Sequence, residues 1–188
     1  MQTTRHIAGH HDVELAALAA AGDRAAFGEL VRRHGSAVRG LLRRMGAEPS
    51  LADDLAQDAF LTAFERIVEF RGEGTFSGWV RKIAARLYVR RWRKDVRLEA
   101  LDEDRDEAPS GDELSAVSRI DLDEALKTLS ATERMCISLC YGAGLSHAEA
   151  ADALNAPLGT VKSHVKRGLD KLRVRLVQPE SQGRREHG

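Results

Sequence analysis

Apolar residues recur along most of this chain at steps of three and four, the spacing of one face of an α-helix. Phe27, Leu30, Val31, Val38, Leu41, Leu42 and Met45 form one such series, and Leu55, Ala59, Phe60, Ala63, Phe64 and Ile67 a second. After a short loop, Arg71-Gly72-Glu73-Gly74-Thr75, a third helix is expected from about Ser77, a suitable N-cap. Its apolar stripe is Val80, Ile83, Ala84 and Leu87. Sustained strand-type alternation is absent, and no internal repeat is evident. The pattern lapses over residues 97–118, which are acidic and carry Pro109, Ser110 and Gly111. That stretch reads as a flexible, self-repelling linker. Helical periodicity resumes near Ile120. Ser130-Ala131-Thr132-Glu133 and Ser146-His147-Ala148-Glu149 then each show the capping-box signature of a helix start.

The expected fold is therefore all-α: two small helical domains joined by an acidic tether. The expected boundaries are an N-terminal tail at 1–12, a first domain at 13–96, the linker at 97–118, a second domain at 119–178 and a C-terminal tail at 179–188. A chain of 188 residues has room for one ordinary domain or two small ones.

Charge sharpens this picture. The formal net charge is zero, but it is the sum of segregated blocks. Lys82, Arg86, Arg90, Arg93 and Arg97 are spaced four, four, three and four, which lines them along one helical stripe, with Trp79, Tyr88 and Trp92 interleaved. Cations track a phosphate backbone, and aromatic faces stack unpaired bases at about 1–3 kcal/mol per base. The plainer alternative is a solvated basic face with aromatic rings in the core. A second basic block comprises Lys162, Lys166, Arg167, Lys171, Arg173 and Arg175. It falls on a helix whose Leu158, Val161, Val165, Leu169, Leu172 and Leu176 should face the core. A short helix, a corner at Asn155-Ala156-Pro157 and a basic second helix suit entry into a DNA major groove. The alternative there is an amphipathic helix that meets only water.

Asp53-Asp54-Leu55-Ala56-Gln57-Asp58 is an acidic helix start. Acids in a first turn favour the helix dipole. Asp54, Gln57 and Asp58 also share a face beside Leu55 and Phe60 that would suit a partner helix. Cys136 and Cys140 stack four apart in an apolar pattern and read as core thiols, with a redox pair or half a metal site as the alternative. The seven histidines are scattered. His6 and His10 would share a helix face, but two ligands do not make a metal site. No Ser/His/Asp set or phosphate loop is present, so neither catalytic residues, a metal nor a cofactor is expected. No signal peptide is recognisable, and no apolar run approaches the roughly 20 residues of a membrane span. A cytoplasmic protein with no membrane insertion of its own is expected.

The motifs carry a family resemblance. Leu129-Ser130-Ala131-Thr132-Glu133-Arg134, Gly144-Leu145-Ser146, Glu149-Ala150-Ala151 and Leu158-Gly159-Thr160-Val161-Lys162-Ser163 together resemble sigma domain 4. Taken alone, this half is also similar to the output domain of LuxR-type regulators. The N-terminal half decides between them. Ala21-Gly22-Asp23-Arg24-Ala25-Ala26-Phe27, Asp53-Asp54-Leu55-Ala56-Gln57-Asp58-Ala59-Phe60 and Phe76-Ser77-Gly78-Trp79-Val80-Arg81-Lys82-Ile83-Ala84 resemble sigma domain 2. In order and over residues 13–177, the set resembles the extracytoplasmic-function (ECF) sigma factors, group 4 of the sigma-70 family.

The resemblance implies a promoter-reading subunit of RNA polymerase and not an enzyme. It places Lys162, Ser163, Lys166 and Arg167 on the −35 element, with His164 nearby. It places Phe70, Phe76, Trp79, Lys82, Arg86 and Arg90 on the opened −10 element, the loop from Phe70 to Phe76 capturing a flipped base. Asp54, Gln57 and Asp58 would grip the coiled coil of the polymerase beta-prime subunit, and domain 4 would touch the beta flap. The implied partners are thus core RNA polymerase, promoter DNA and an anti-sigma factor. The chain departs from the usual pattern at Arg86, where Asn is common, at Arg90, where an acid is frequent, and at Asn155, where Gly is usual. The first two make the strand-facing helix more basic.

Overall fold

A computed structural model describes residues 9–99 and 122–177, and all its regular elements are helical turns. Helix α1 spans Asp12–Ala20, α2 Arg24–Met45 and α3 Pro49–Glu65. A 3-10 turn, Ile67–Glu69, and a loop lead into α4, Phe76–Glu99. Beyond the undescribed residues come α5, Leu122–Lys127, and α6, Ala131–Ile137, which runs into a π-helical turn over Ser138–Gly142. Helices α7, His147–Leu154, and α8, Leu158–Val177, complete the described chain. The tails at 1–8 and 178–188, and residues 100–121, which include most of the acidic stretch, lie outside the described residues. So does the helix onset expected near Ile120.

Local chemistry sets the helix ends. Asp23 caps α2, its carboxylate accepting from the backbone N–H groups of Ala25 and Ala26 at 2.9 and 3.2 Å. Both expected capping boxes are formed. Ser130 and Glu133 exchange hydrogen bonds at the start of α6, and Ser146 and Glu149 do so at the start of α7. Two onsets differ from expectation. The third helix begins at Phe76, one residue earlier than expected, because Thr75 does the capping: its Oγ1 accepts from the Gly78 N–H at 3.0 Å. Helix α3 begins at Pro49, whose fixed φ suits a first turn. Asp53 and Asp54 therefore stand beyond the first turn, and their helix-dipole role lapses. Helix α4 also continues through residues 97–99, three residues into the span expected to be linker.

Leu15, Leu30, Val38, Leu42, Phe76 and Val80 are among the fully buried side chains that bind α1 to α4 together. The same continuous cluster extends through Met135, Cys136, Leu139, Val161 and Val165, so the two helical groups share apolar packing. Gly168 lets α8 lie close on α6, since a Cβ there would sit 2.5 Å from Ile137 Cδ1. Cys136 is buried and Cys140 half-buried. Desolvation pushes the Cys136 thiol up to about 11 and raises that of Cys140, so both are protonated core thiols at neutral pH.

Among the described residues, Glu133 is the one buried acidic side chain. It is held by Lys171, whose Nζ donates to both carboxylate oxygens at 3.0 and 2.7 Å. That bond, with help from Ser130, keeps its carboxyl below the ordinary value. Glu29 is lowered to about 2 by hydrogen bonds from Arg32 and Arg33, and Glu69 is lowered by Arg66. A depressed folded-state value adds stability above the unfolded pKa and loses it as pH falls through the folded one. The unfolding free energy should therefore be flat near neutrality and decline on acidification below about pH 4.5. Urea titrations across that range will show it, and Glu133→Gln should flatten part of the decline.

Candidate nucleic-acid interface

Helices α7 and α8 meet at a tight corner. Asn155 ends α7 in the left-handed region, φ 51° and ψ 46°, a conformation Asn tolerates better than most residues. Pro157 stands just ahead of α8, its carbonyl accepting from Thr160 and Val161 at 3.0 and 3.2 Å. Val161, Val165 and Leu172 anchor α8 to the core, and Leu169 packs beside them. Leu158, expected on that face, is instead 42 % exposed in the first turn of α8. Leu176 lies outside the residues whose side chains are described.

Lys162, Ser163, Lys166 and Arg167 are all exposed on α8. The Ser163 hydroxyl donates to the Gly159 carbonyl at 2.9 Å, and Arg167 Nη2 lies 3.2 Å from Nδ1 of half-buried His164. The face thus presents two lysines, a guanidinium steadied by an imidazole and a small hydroxyl, all open to water. Lys and Arg in such a position can donate to guanine O6 and N7.

The α4 stripe is unevenly exposed. Arg86 and Arg90 are exposed, whereas Trp79 and Lys82 are half-buried. Trp79 tilts against Phe70 at a ring separation of 5.5 Å. Lys82 Nζ is bonded to Glu149 Oε1 of α7 at 3.2 Å. Phe76 requires a correction. It is wholly buried, ringed by Phe27, Phe70, Trp79 and His34 at centroid distances of 5.6–6.5 Å, and has no face left for a base. As the first residue of α4, it points inward and supports the half-buried Phe70 and Trp79 from below.

Asp54, Gln57 and Asp58 are exposed on α3. Gln57 also borders a groove of about 830 Å³ between α2 and α3, floored by Phe27, Val31, Phe60, Leu61 and Phe64. Arg24, Arg39 and Asp53 rim it, Arg39 Nε lying 3.6 Å from Asp53 Oδ1. Sequence reasoning missed this groove. Its signal was Leu61, an apolar residue outside the expected core-facing series; Phe64, expected in that series, is also exposed. Among the described residues no group of three or more His, Cys, Asp or Glu could hold a metal, and no helix is long and apolar enough to cross a membrane.

A helical group with a basic aromatic stripe, packed beside a helix–turn–helix, defines a sigma-type transcription initiation factor. Comparison with known proteins agrees. Residues 30–98 match the model of sigma-70 region 2, and residues 125–174 match that of sigma-70 region 4. The chain is similar to the ECF RNA polymerase sigma factor SigE of Mycolicibacterium smegmatis, at 37 % identity over 175 residues, 87 % of this chain and 67 % of that one. It is similar to the RNA polymerase sigma factor NccH of Alcaligenes xylosoxydans xylosoxydans, at 34 % identity over 88 % of this chain and 94 % of that one. Among solved structures, CnrH in complex with the cytosolic domain of CnrY matches with a TM-score of 0.53 and 29 % identity, covering 88 % of this chain and 96 % of that one. The fold is shared with the sigma factor RpoE in complex with the anti-sigma factor NepR from Bartonella quintana, TM-score 0.54, 24 % identity, 82 % and 98 % covered. The chain belongs to the ECF sigma factors of the sigma-70 family: it directs RNA polymerase and is not an enzyme.

Proposed function

We propose that this sigma factor docks on core RNA polymerase through the α2–α3 groove and the adjoining Asp54, Gln57 and Asp58. In this reading Lys162, Ser163, Lys166 and Arg167, with His164 behind Arg167, read the −35 element as duplex. Phe70, Trp79, Lys82, Arg86 and Arg90 hold the opened −10 strand. The functional units are a region 2 domain at 13–96 and a region 4 domain at 119–178, tethered by 97–118, with region 4 also touching the beta flap. The protein works in the cytoplasm and is held in check by an anti-sigma factor. The observation carrying the proposal is the pair of solvent-facing cationic surfaces, one on α4 in region 2 and one on α8 in region 4.

The test is in vitro transcription with core polymerase and a promoter library. Enrichment of promoters sharing a −35 and a −10 sequence is expected. Failure to initiate anywhere would overturn the reading. Within that assay, Lys162→Ala or Arg167→Ala should weaken discrimination at one −35 position by about 1–3 kcal/mol if the residue bonds a base. A uniform loss across all sequences would make it a phosphate anchor.

A further inference from the structure

The two halves of the chain are clasped together, and the clasp closes over only one of the two DNA-facing surfaces. Helix α7 and the π-helical turn lie against α2 and α4. Glu149 of α7 holds Lys82, Arg81 Nη1 reaches the Gly142 carbonyl at 3.5 Å, and Arg44 bonds Asp123 at 2.8 Å. Gly142 sits so close to Leu41 that a Cβ there would be 2.6 Å from Leu41 Cδ1. The consequence is asymmetric. Lys162, Lys166 and Arg167 on α8 stay exposed, while Lys82 of the α4 stripe is partly covered and held by Glu149.

We propose that region 4 is a lid over the start of the α4 stripe, so that the free chain is open toward duplex DNA and closed toward a single strand. This rests on α4 being the strand-facing helix. Glu149 does the closing chemically as well as sterically. Hydrogen bonds from Ser146 and Lys82 hold its carboxyl below the ordinary value, so at neutral pH it is an anion where a phosphate would have to sit. The lid is built to open. Its ion pairs are partly solvated and therefore weak, and the buried Nε atoms of Arg81 and Arg134 have no hydrogen-bond partner. Such a contact supports a two-state equilibrium that a partner can shift.

Gly142→Phe should wedge the lid off without touching either DNA surface. Gly142 is outside the positive-φ region, so a side chain is tolerated there until it meets Leu41. Glu149→Gln should loosen the lid more gently while keeping the helix cap, because Gln also serves at that position. The full chain and both variants are measured by small-angle scattering, and by anisotropy with a labelled single-stranded oligonucleotide and the duplex of the same sequence. If the lid is shut nine-tenths of the time, Gly142→Phe raises single-strand affinity about tenfold. Its radius of gyration should grow and its duplex affinity stay unchanged. Glu149→Gln should give a smaller gain, again confined to the single strand. Equal gains on single strand and duplex would overturn the lid as a simple charge effect. An unchanged radius of gyration in a folded Gly142→Phe protein would overturn the clasp itself. A larger radius without single-strand gain would overturn the gating and place the fault in the strand-facing role of α4. Should Gly142→Phe lose its helical circular dichroism, the single-strand to duplex ratio of Glu149→Gln decides.

Discussion

Replacing Phe76 by alanine should lower the unfolding free energy by about 3–5 kcal/mol, the range for a buried aromatic whose surroundings close only partly over the cavity. Phe76 has no exposed surface and sits where four aromatic rings converge at the entry to α4. No neighbouring side chain is free to fill the space, because Phe27 is already packed edge-on against Phe64 at 4.9 Å. Urea unfolding will register the change as a lower midpoint at constant slope. A loss below about 1 kcal/mol, the level of an ordinary substitution, would show that the ring is not in the core. Single-strand binding should fall as well, since Phe70 and Trp79 lose the ring that sets their tilt. The stability loss separates this supporting role from direct contact with a base.

The second large effect is expected at the α2–α3 groove. Leu61 is 56 % exposed and lines it, so Leu61→Asp should hardly alter stability. It would set a carboxylate on the floor that a docking helix must desolvate. Loss of one central apolar anchor commonly costs about 2 kcal/mol or more, which is roughly thirtyfold in affinity. Association with core polymerase, followed by anisotropy of labelled protein, should weaken by at least that factor while the melting temperature holds. Retained association would remove the groove from the docking surface. The contrast with Phe76 is informative: one apolar residue is costly to the fold, the other to the partner.

Much of this was legible in the chain. Helix periodicity located most of the helices, though not Asp12–Ala20 or the π-helical turn at Ser138–Gly142, and Ser-x-x-Glu located two helix starts, because those signals are local. The corner at Asn155 was legible for the same reason. What escaped was long-range. Phe76 stands in a glycine-rich loop phrase, and nothing nearby says whether its ring turns in or out. That depends on Phe27 and His34, some forty to fifty residues away in the chain. The groove arises from the distance between α2 and α3, which periodicity does not encode. Nothing local marks Gly168 as the point where α8 closes on Ile137. The clasp joining Lys82 to Glu149 links residues assigned to separate domains, each with a sufficient local role of its own.

The two thiols have a consequence for oxidation. An oxidant attacks a thiolate, and at neutral pH the thiol of Cys136, pushed up to about 11, supplies almost none. Its neighbour Cys140 is shifted in the same direction. Burial of Cys136, half-burial of Cys140 and the upward shift of both thiols therefore disfavour oxidation of this pair while the chain is folded.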